Sequence, residues 1–128
     1  MLALLLVALF APPAGGPLTV TAIGAGTAVE SRTLVGVAST FPANGDPVFA
    51  HATLDNPGPG EATITWVWLH DGKEAWRDAH TIGKSPAWRS WTRKRMAKDA
   101  IGSWTVEIRG ADGAVLHAVV FDVVAPPG

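Results

Sequence analysis

The stretch ATITWVWLHDGKEAW, Ala62–Trp76, decides the fold class. From Ala62 to Leu69 its residues are β-branched, aromatic or small, a composition suited to a pleated, half-buried surface. Side chains alternate across a strand, so Ile64, Trp66 and Trp68 share one face and Thr63, Thr65 and Val67 the other. His70-Asp71-Gly72-Lys73 follows, with Asp-Gly between two strand-like runs. That dipeptide is a strong hairpin signal, because a type I′ turn needs positive φ at both central positions. Glu74–Ile82 is the predicted returning strand.

The same reading extends along the chain. Ser103–Arg109 alternates again, with Trp104, Val106 and Ile108 inward and Thr105, Glu107 and Arg109 outward. A second Asp-Gly turn, within Gly110–Gly113, leads to a last strand at Ala114–Val124. Val48–Leu54 and Thr33–Val37 are further strand candidates, and Leu18–Ile23 has weak strand character. Phe41–Asp46, FPANGD, reads as a turn. Asp55–Gly60, DNPGPG, is broken by proline and glycine. Gly83–Pro86 reads as a loop, Trp88–Thr92 as extended, and Arg93–Ala100 as a helical turn ending at Gly102. About seven strands with turns between them predict an antiparallel β-sandwich of immunoglobulin-like type, with a small closed β-barrel as the alternative. The expected core is Val48, Leu54, Ile64, Trp66, Trp68, Trp104, Val106, Ile108, Leu116, Val119 and Phe121.

A chain of 128 residues fits one domain. It is 48% hydrophobic and 16% charged, too apolar for a disordered chain. The absence of cysteine rules out disulfides, thiol nucleophiles and cysteine-based zinc sites. Residues 2–11, LALLLVALFA, form an unbroken apolar run, shorter than the roughly 20 residues that span a bilayer and matched to a signal-peptide core. Pro12 to Gly16 follow as a small-residue break. Residues 1–16 are therefore expected to be a signal-peptide-like segment, 17–32 a lead-in, 33–124 the β-sandwich and 125–128 a tail. This implies export to the periplasm or the cell exterior, with membrane contact only through an uncleaved N-terminus.

Charge is segregated. Of the ten lysines and arginines, Lys84, Arg89, Arg93, Lys94, Arg95 and Lys98 lie in one window without an acid. The other four share the remaining chain with all eleven acids. A basic block on an acidic body pairs internally or meets an acidic partner. The block overlaps PAWRSWTRKRM, Pro86–Met96. Trp88 and Trp91, three apart after Pro86, would stack on one side of a polyproline-like stretch, with Arg77, Arg95 or Arg109 slotted between the rings. The Trp-x-x-Trp-Ser/Thr spacing resembles the WSxWS arrangement of cytokine-receptor fibronectin-type domains. Trp88, Trp91, Arg77 and Arg109 are thus expected to form a structural brace. Candidate ligand-binding residues are Arg89, Arg93, Lys94, Arg95, Trp76, Trp88 and Trp91.

Several of these motifs together resemble the DUF2914 family of bacterial domains. They are Trp68 before Asp71-Gly72, Trp88-Arg89-x-Trp91 with Lys94, Gly102-x-Trp104-x-Val106-Glu107, and Asp112-Gly113 before the final strand. The resemblance spans roughly residues 28–124. It implies a small β-rich module, often on an exported or membrane-bound chain, and no catalytic residue to carry over. Family members often have His where this chain has Trp66, and Ser where it has Thr92.

The residues assemble no recognisable chemistry. His51, His70, His80 and His117 form no zinc-type spacing. There is no nucleophile elbow and no phosphate-cradling loop. The carboxylates Glu61, Asp71, Glu74 and Asp78 gather around the first hairpin, which leaves an enzyme with an acidic-hairpin site as the weakest alternative. The expectation is a non-catalytic extracytoplasmic interaction module without a cofactor or metal. Its partner would be an acidic protein or a cell-envelope glycan, the latter stacked on exposed tryptophan, and not nucleic acid.

Overall fold

A computed structural model describes residues 17–127. The signal-peptide-like segment at 1–16 lies outside these residues. Ten strands run β1 (Thr19–Gly26), β2 (Ala28–Glu30), β3 (Thr33–Val35), β4 (Thr40–Pro42), β5 (Pro47–Asn56), β6 (Ala62–His70), β7 (Lys73–Ile82), β8 (Ser85–Arg95), β9 (Gly102–Arg109) and β10 (Val115–Val124). The three shortest, β2, β3 and β4, have three residues each, which leaves seven long strands.

Two sheets form the sandwich. One has the order β1-β5-β8 and the other β4-β10-β9-β6-β7, while β2 and β3 pair as a separate hairpin. β6–β7 and β9–β10 are antiparallel hairpins within the larger sheet. The connections β5 to β6, β7 to β8 and β8 to β9 pass between sheets. This is the immunoglobulin-like arrangement, open rather than a closed barrel.

Volume complementarity sets the core. The larger sheet sends in Ile64, Trp66, Trp68, Trp104, Val106 and Ile108, all essentially inaccessible. Opposite them, β5 and β8 offer the small buried residues Ala50, Ala52, Ser90 and Thr92, with Val48 and Leu54 at either end. Bulky rings on one sheet need short side chains on the other to reach interior packing density. At one end Trp68, Trp104, Phe41 and Phe121 form an aromatic cluster, with Phe41 edge-on to Phe121 at 5.4 Å.

The structure corrects the sequence reading at several points. Phe41-Pro42 is not part of a turn: β4 pairs parallel with β10, seating the buried Phe41 beside Val123. Asp55 and Asn56 remain in β5. Ser85 and Pro86 already belong to β8, and so do Arg93 to Arg95, so the helical turn shrinks to a short 3₁₀ segment at Lys98–Ala100. That segment places the Ala100 carbonyl to accept the Trp104 indole N–H at 2.7 Å. Leu116 and Val119 are only partly buried, whereas Val67, expected outside, is fully buried. Its neighbours across the sheet are Arg77 and Glu107, whose long side chains can cover it.

Both Asp-Gly turns form. Asp71 and Gly72 have φ of 50° and 85°, the positive pair that a type I′ turn requires. The tip of this hairpin is clasped to β9: Asp71 Oδ1 accepts the Ser103 N–H at 2.9 Å. Gly102 has φ of 143°, and a Cβ there would lie 2.7 Å from Asp71 Oδ2. Gly102→Ala therefore meets both a steric and a backbone penalty. It is expected to lower stability by about 1–3 kcal/mol in denaturant unfolding.

Candidate functional site

Register across the three-stranded sheet places the residues of β8. Leu54, Ala52, Ala50 and Val48 of β5 point inward, and their partners are Trp88, Ser90, Thr92 and Lys94. The outward residues Thr53, His51 and Phe49 pair with Arg89, Trp91 and Arg93. Trp88 and Trp91 therefore lie on opposite faces of an ordinary β-strand, and the polyproline-like stack does not form. Strand pairing with β5 wins because it satisfies the backbone that a polyproline helix leaves to solvent.

None of the three arginines expected between the tryptophan rings lies there. Arg77 grips Glu74 through two 2.7 Å bonds, from Nε and Nη2. That hydrogen bond holds the Glu74 carboxyl below its usual range. Arg109 bonds Glu107 at 2.7 and 2.9 Å. Arg95 reaches only the Gly45 carbonyl, at 3.4 Å.

On the outer face, Trp91 stacks on His51, with ring centroids 5.8 Å apart and planes 11° apart. His51 is fixed in turn by the Arg32 carbonyl, 2.7 Å from its Nε2. The β2–β3 hairpin thus lies over the β1 side of this sheet, where a Cβ on Gly24 would come within 3.1 Å of Leu34. The β8 side stays open. Arg93 lies over the Phe49 ring, 5.9 Å from its centroid. Among the described residues, none of Arg89, Arg93, Lys94 and Arg95 makes an ion pair. The acidic hairpin does not neutralise them, because Glu74 is occupied by Arg77 and Asp78 by His80.

The inner side of β8 carries a polar chain that the sequence reading missed. The Trp66 indole N–H donates to Ser90 Oγ at 3.0 Å. Ser90 Oγ lies 2.9 Å from His80 Nδ1, and His80 Nε2 lies 3.0 Å from Asp78 Oδ2. Thr92 donates to the same carboxylate oxygen at 3.1 Å. With the indole donating, the Ser90 hydroxyl proton is free to point at His80 Nδ1, which sets Nε2 as the nitrogen that donates to Asp78. The chain links β6, β7 and β8 and so joins the two sheets. Its sequence signal was available: Asp78-x-His80 and Ser90-x-Thr92 are polar pairs at the period of two that puts both members on one face.

β7 and β8 are the facing outer strands of their sheets, and the space between them forms two clefts. One, of about 400 Å³, is lined by His80, Thr81, Trp88, Arg89, Ser90 and Trp91. The other, of about 350 Å³, is lined by Phe49, Asp78, Trp91, Thr92 and Arg93. Trp91 borders both. Trp88 is 39% exposed, and its ring lies so close over Gly83 that a Cβ there would meet Cζ3 at 2.6 Å. Trp76 is 48% exposed, opposite Trp68 in register and outside both clefts.

A family model described as "Protein of unknown function (DUF2914)" matches residues 61–123. This part of the chain belongs to the DUF2914 family. The DUF2914 region runs from the start of β6 almost to the end of β10. It contains both walls of the clefts except Phe49, and every member of the polar chain. No curated protein matches the sequence. Among solved structures, the chain is similar to the Pseudomonas fluorescens alkylpurine DNA glycosylase AlkC bound to DNA containing an abasic site analog. The TM-score is 0.59 at 11% identity, covering 84% of this chain. The chain spans 30% of that enzyme's length, and at this identity the likeness is one of fold alone.

Proposed function

We propose that this chain is a non-catalytic extracytoplasmic interaction module that docks an acidic partner along β8. The observation that carries the proposal is the difference between two sets of basic residues. Arg77 and Arg109 are each held by a glutamate, while Arg89, Arg93, Lys94 and Arg95 are ion-paired to nothing among the described residues. Unpaired cations clustered on a body rich in acid attract an anionic surface and repel a basic one. The apolar run at residues 2–11 supports export.

Binding to immobilised poly-glutamate tests the reading. Wild-type protein is expected to bind with an affinity that falls steeply between low and physiological salt. Arg93→Glu is expected to weaken it about tenfold, equivalent to about 1.4 kcal/mol, with unchanged melting temperature. Salt-independent binding, or equal binding by the variant, would count against the proposal.

A second reading, glycan binding, is favoured by the exposed rings of Trp88 and Trp76. It requires that Trp88→Ala abolish binding to a cell-wall oligosaccharide while sparing the binding of poly-glutamate.

A further inference from the structure

We infer that β8 is a strand-addition edge that takes an extended acidic segment of a partner protein as the fourth strand of the three-stranded sheet. This specifies the occupant of the docking surface proposed above and rests on that reading.

The argument starts from backbone. β8 is eleven residues long and, among the described residues, pairs only with β5, so one side of it carries N–H and C=O groups that no described strand pairs. Such an edge is a template for another strand. The other edges of the two sandwich sheets suit an acidic strand less well. β1 carries no charge, β4 has three residues, and β7 mixes Lys73 and Arg77 with Glu74 and Asp78. A second copy of β8 is disfavoured because it would set like charges opposite one another. An acidic strand faces no such barrier.

The side chains then fix a pattern. Arg89, Trp91 and Arg93 stand in a row on the outer face, spaced two residues apart. An added strand has the same rise, about 3.3 Å per residue, so the arginines are about 13 Å apart and match acids four positions apart. An apolar residue midway between those acids would lie against Trp91. The alternate residues of the added strand point inward, over the two clefts between β7 and β8. There they meet Ser90 and His80, or Thr92 and Asp78. Small polar side chains fit both the volume and the hydrogen-bonding groups. The added strand would close the open mouth of the sandwich.

The test uses a nine-residue peptide with two glutamates four positions apart, valine midway between them and threonine elsewhere. It is titrated into the full chain and followed by calorimetry and amide hydrogen exchange. Two further peptides carry backbone N-methyl groups at alternate residues, one in each of the two frames. One frame faces β8 and the other faces away. The inference expects one frame to bind at least tenfold more weakly and the other to bind like the unmodified peptide. It also expects β8 amides to gain protection only with the binding peptides. If both methylated peptides bind equally well, or both fail, strand addition is wrong. Poly-glutamate retention by wild type and its loss in Arg93→Glu would still uphold the broader docking proposal. No binding by the unmodified peptide, or its displacement by self-association of the chain through β8, would also overturn the inference.

Discussion

Replacing Trp66 by alanine is expected to cost about 3–5 kcal/mol, the largest loss from any single side chain outside the aromatic cluster. The ring is fully buried at the centre of β6, against the alanines of β5. Truncation leaves a cavity that short neighbours cannot fill, and it removes a donor from the chain that ties the sheets together. Ser90→Ala isolates the second effect. It is expected to cost about 1–3 kcal/mol, because the buried Trp66 N–H loses its acceptor, while His80 Nδ1, on the wall of the open cleft, can turn to water. The two residues are also expected to be coupled. In a Trp66→Phe background, where there is no indole donor to satisfy, Ser90→Ala should cost about 1 kcal/mol less than in the wild type. Urea unfolding of the four proteins in this cycle gives the coupling directly. Strict additivity would mean that the indole–hydroxyl bond contributes nothing to stability.

That network shows where sequence reasoning stops. Alternation made the interior of the larger sheet legible, since Ile64, Trp66 and Trp68, and Trp104, Val106 and Ile108, are large and apolar, and most of the residues between them are polar. The opposing sheet uses alanine, serine and threonine for the same task, and small residues give no contrast for a pattern to register. Ser90 and Thr92 therefore gave no sign of their burial, although each is only 4% exposed. The sizes of the tryptophans were themselves the missing clue, because rings of that volume demand short partners across a sandwich. Phe41 was hidden differently. Proline and Asn-Gly around it signalled a turn, while its burial comes from a parallel pairing with β10, more than eighty positions further along the chain. At the site, the density of cations in β8 was legible, but which of them lacked acids was not. The bonds from Arg77 to Glu74 and from Arg109 to Glu107 are decided by side-chain reach within the folded sheet. Segregated charge in the sequence thus became a specific row, Arg89, Trp91 and Arg93, only once the register with β5 was known.

Asn56→Ala is expected to destabilise the chain by about 2–4 kcal/mol and to disturb the cleft without touching it. Asn56 is 3% exposed at the end of β5. Its amide nitrogen donates toward three carbonyls, those of Gly60 at 3.0 Å and of Ile82 and Gly83 at 3.2 Å. Its Oδ1 accepts the Gly58 N–H at 3.3 Å. One side chain therefore gathers the loop after β5 and the turn between β7 and β8. Alanine leaves those carbonyls short of a donor. Lys84 reinforces the same junction by donating to the Pro57 and Gly58 carbonyls at 3.0 and 2.7 Å. These bonds lie near solvent, where water can replace them, so Lys84→Ala should cost less than about 1 kcal/mol. The functional consequence passes through Gly83. Trp88 rests on the backbone of that glycine, and Gly83 is held in place by Asn56. Loosening the turn should free the Trp88 ring and increase its collisional quenching by iodide, measured against Trp88→Phe to subtract the other five tryptophans. Because β8 itself stays paired with β5, the Arg89–Trp91–Arg93 row should keep its register and poly-glutamate binding should fall less than threefold, a change below about 0.7 kcal/mol. A tenfold loss would instead make the Trp88 end of the strand part of the anionic docking surface.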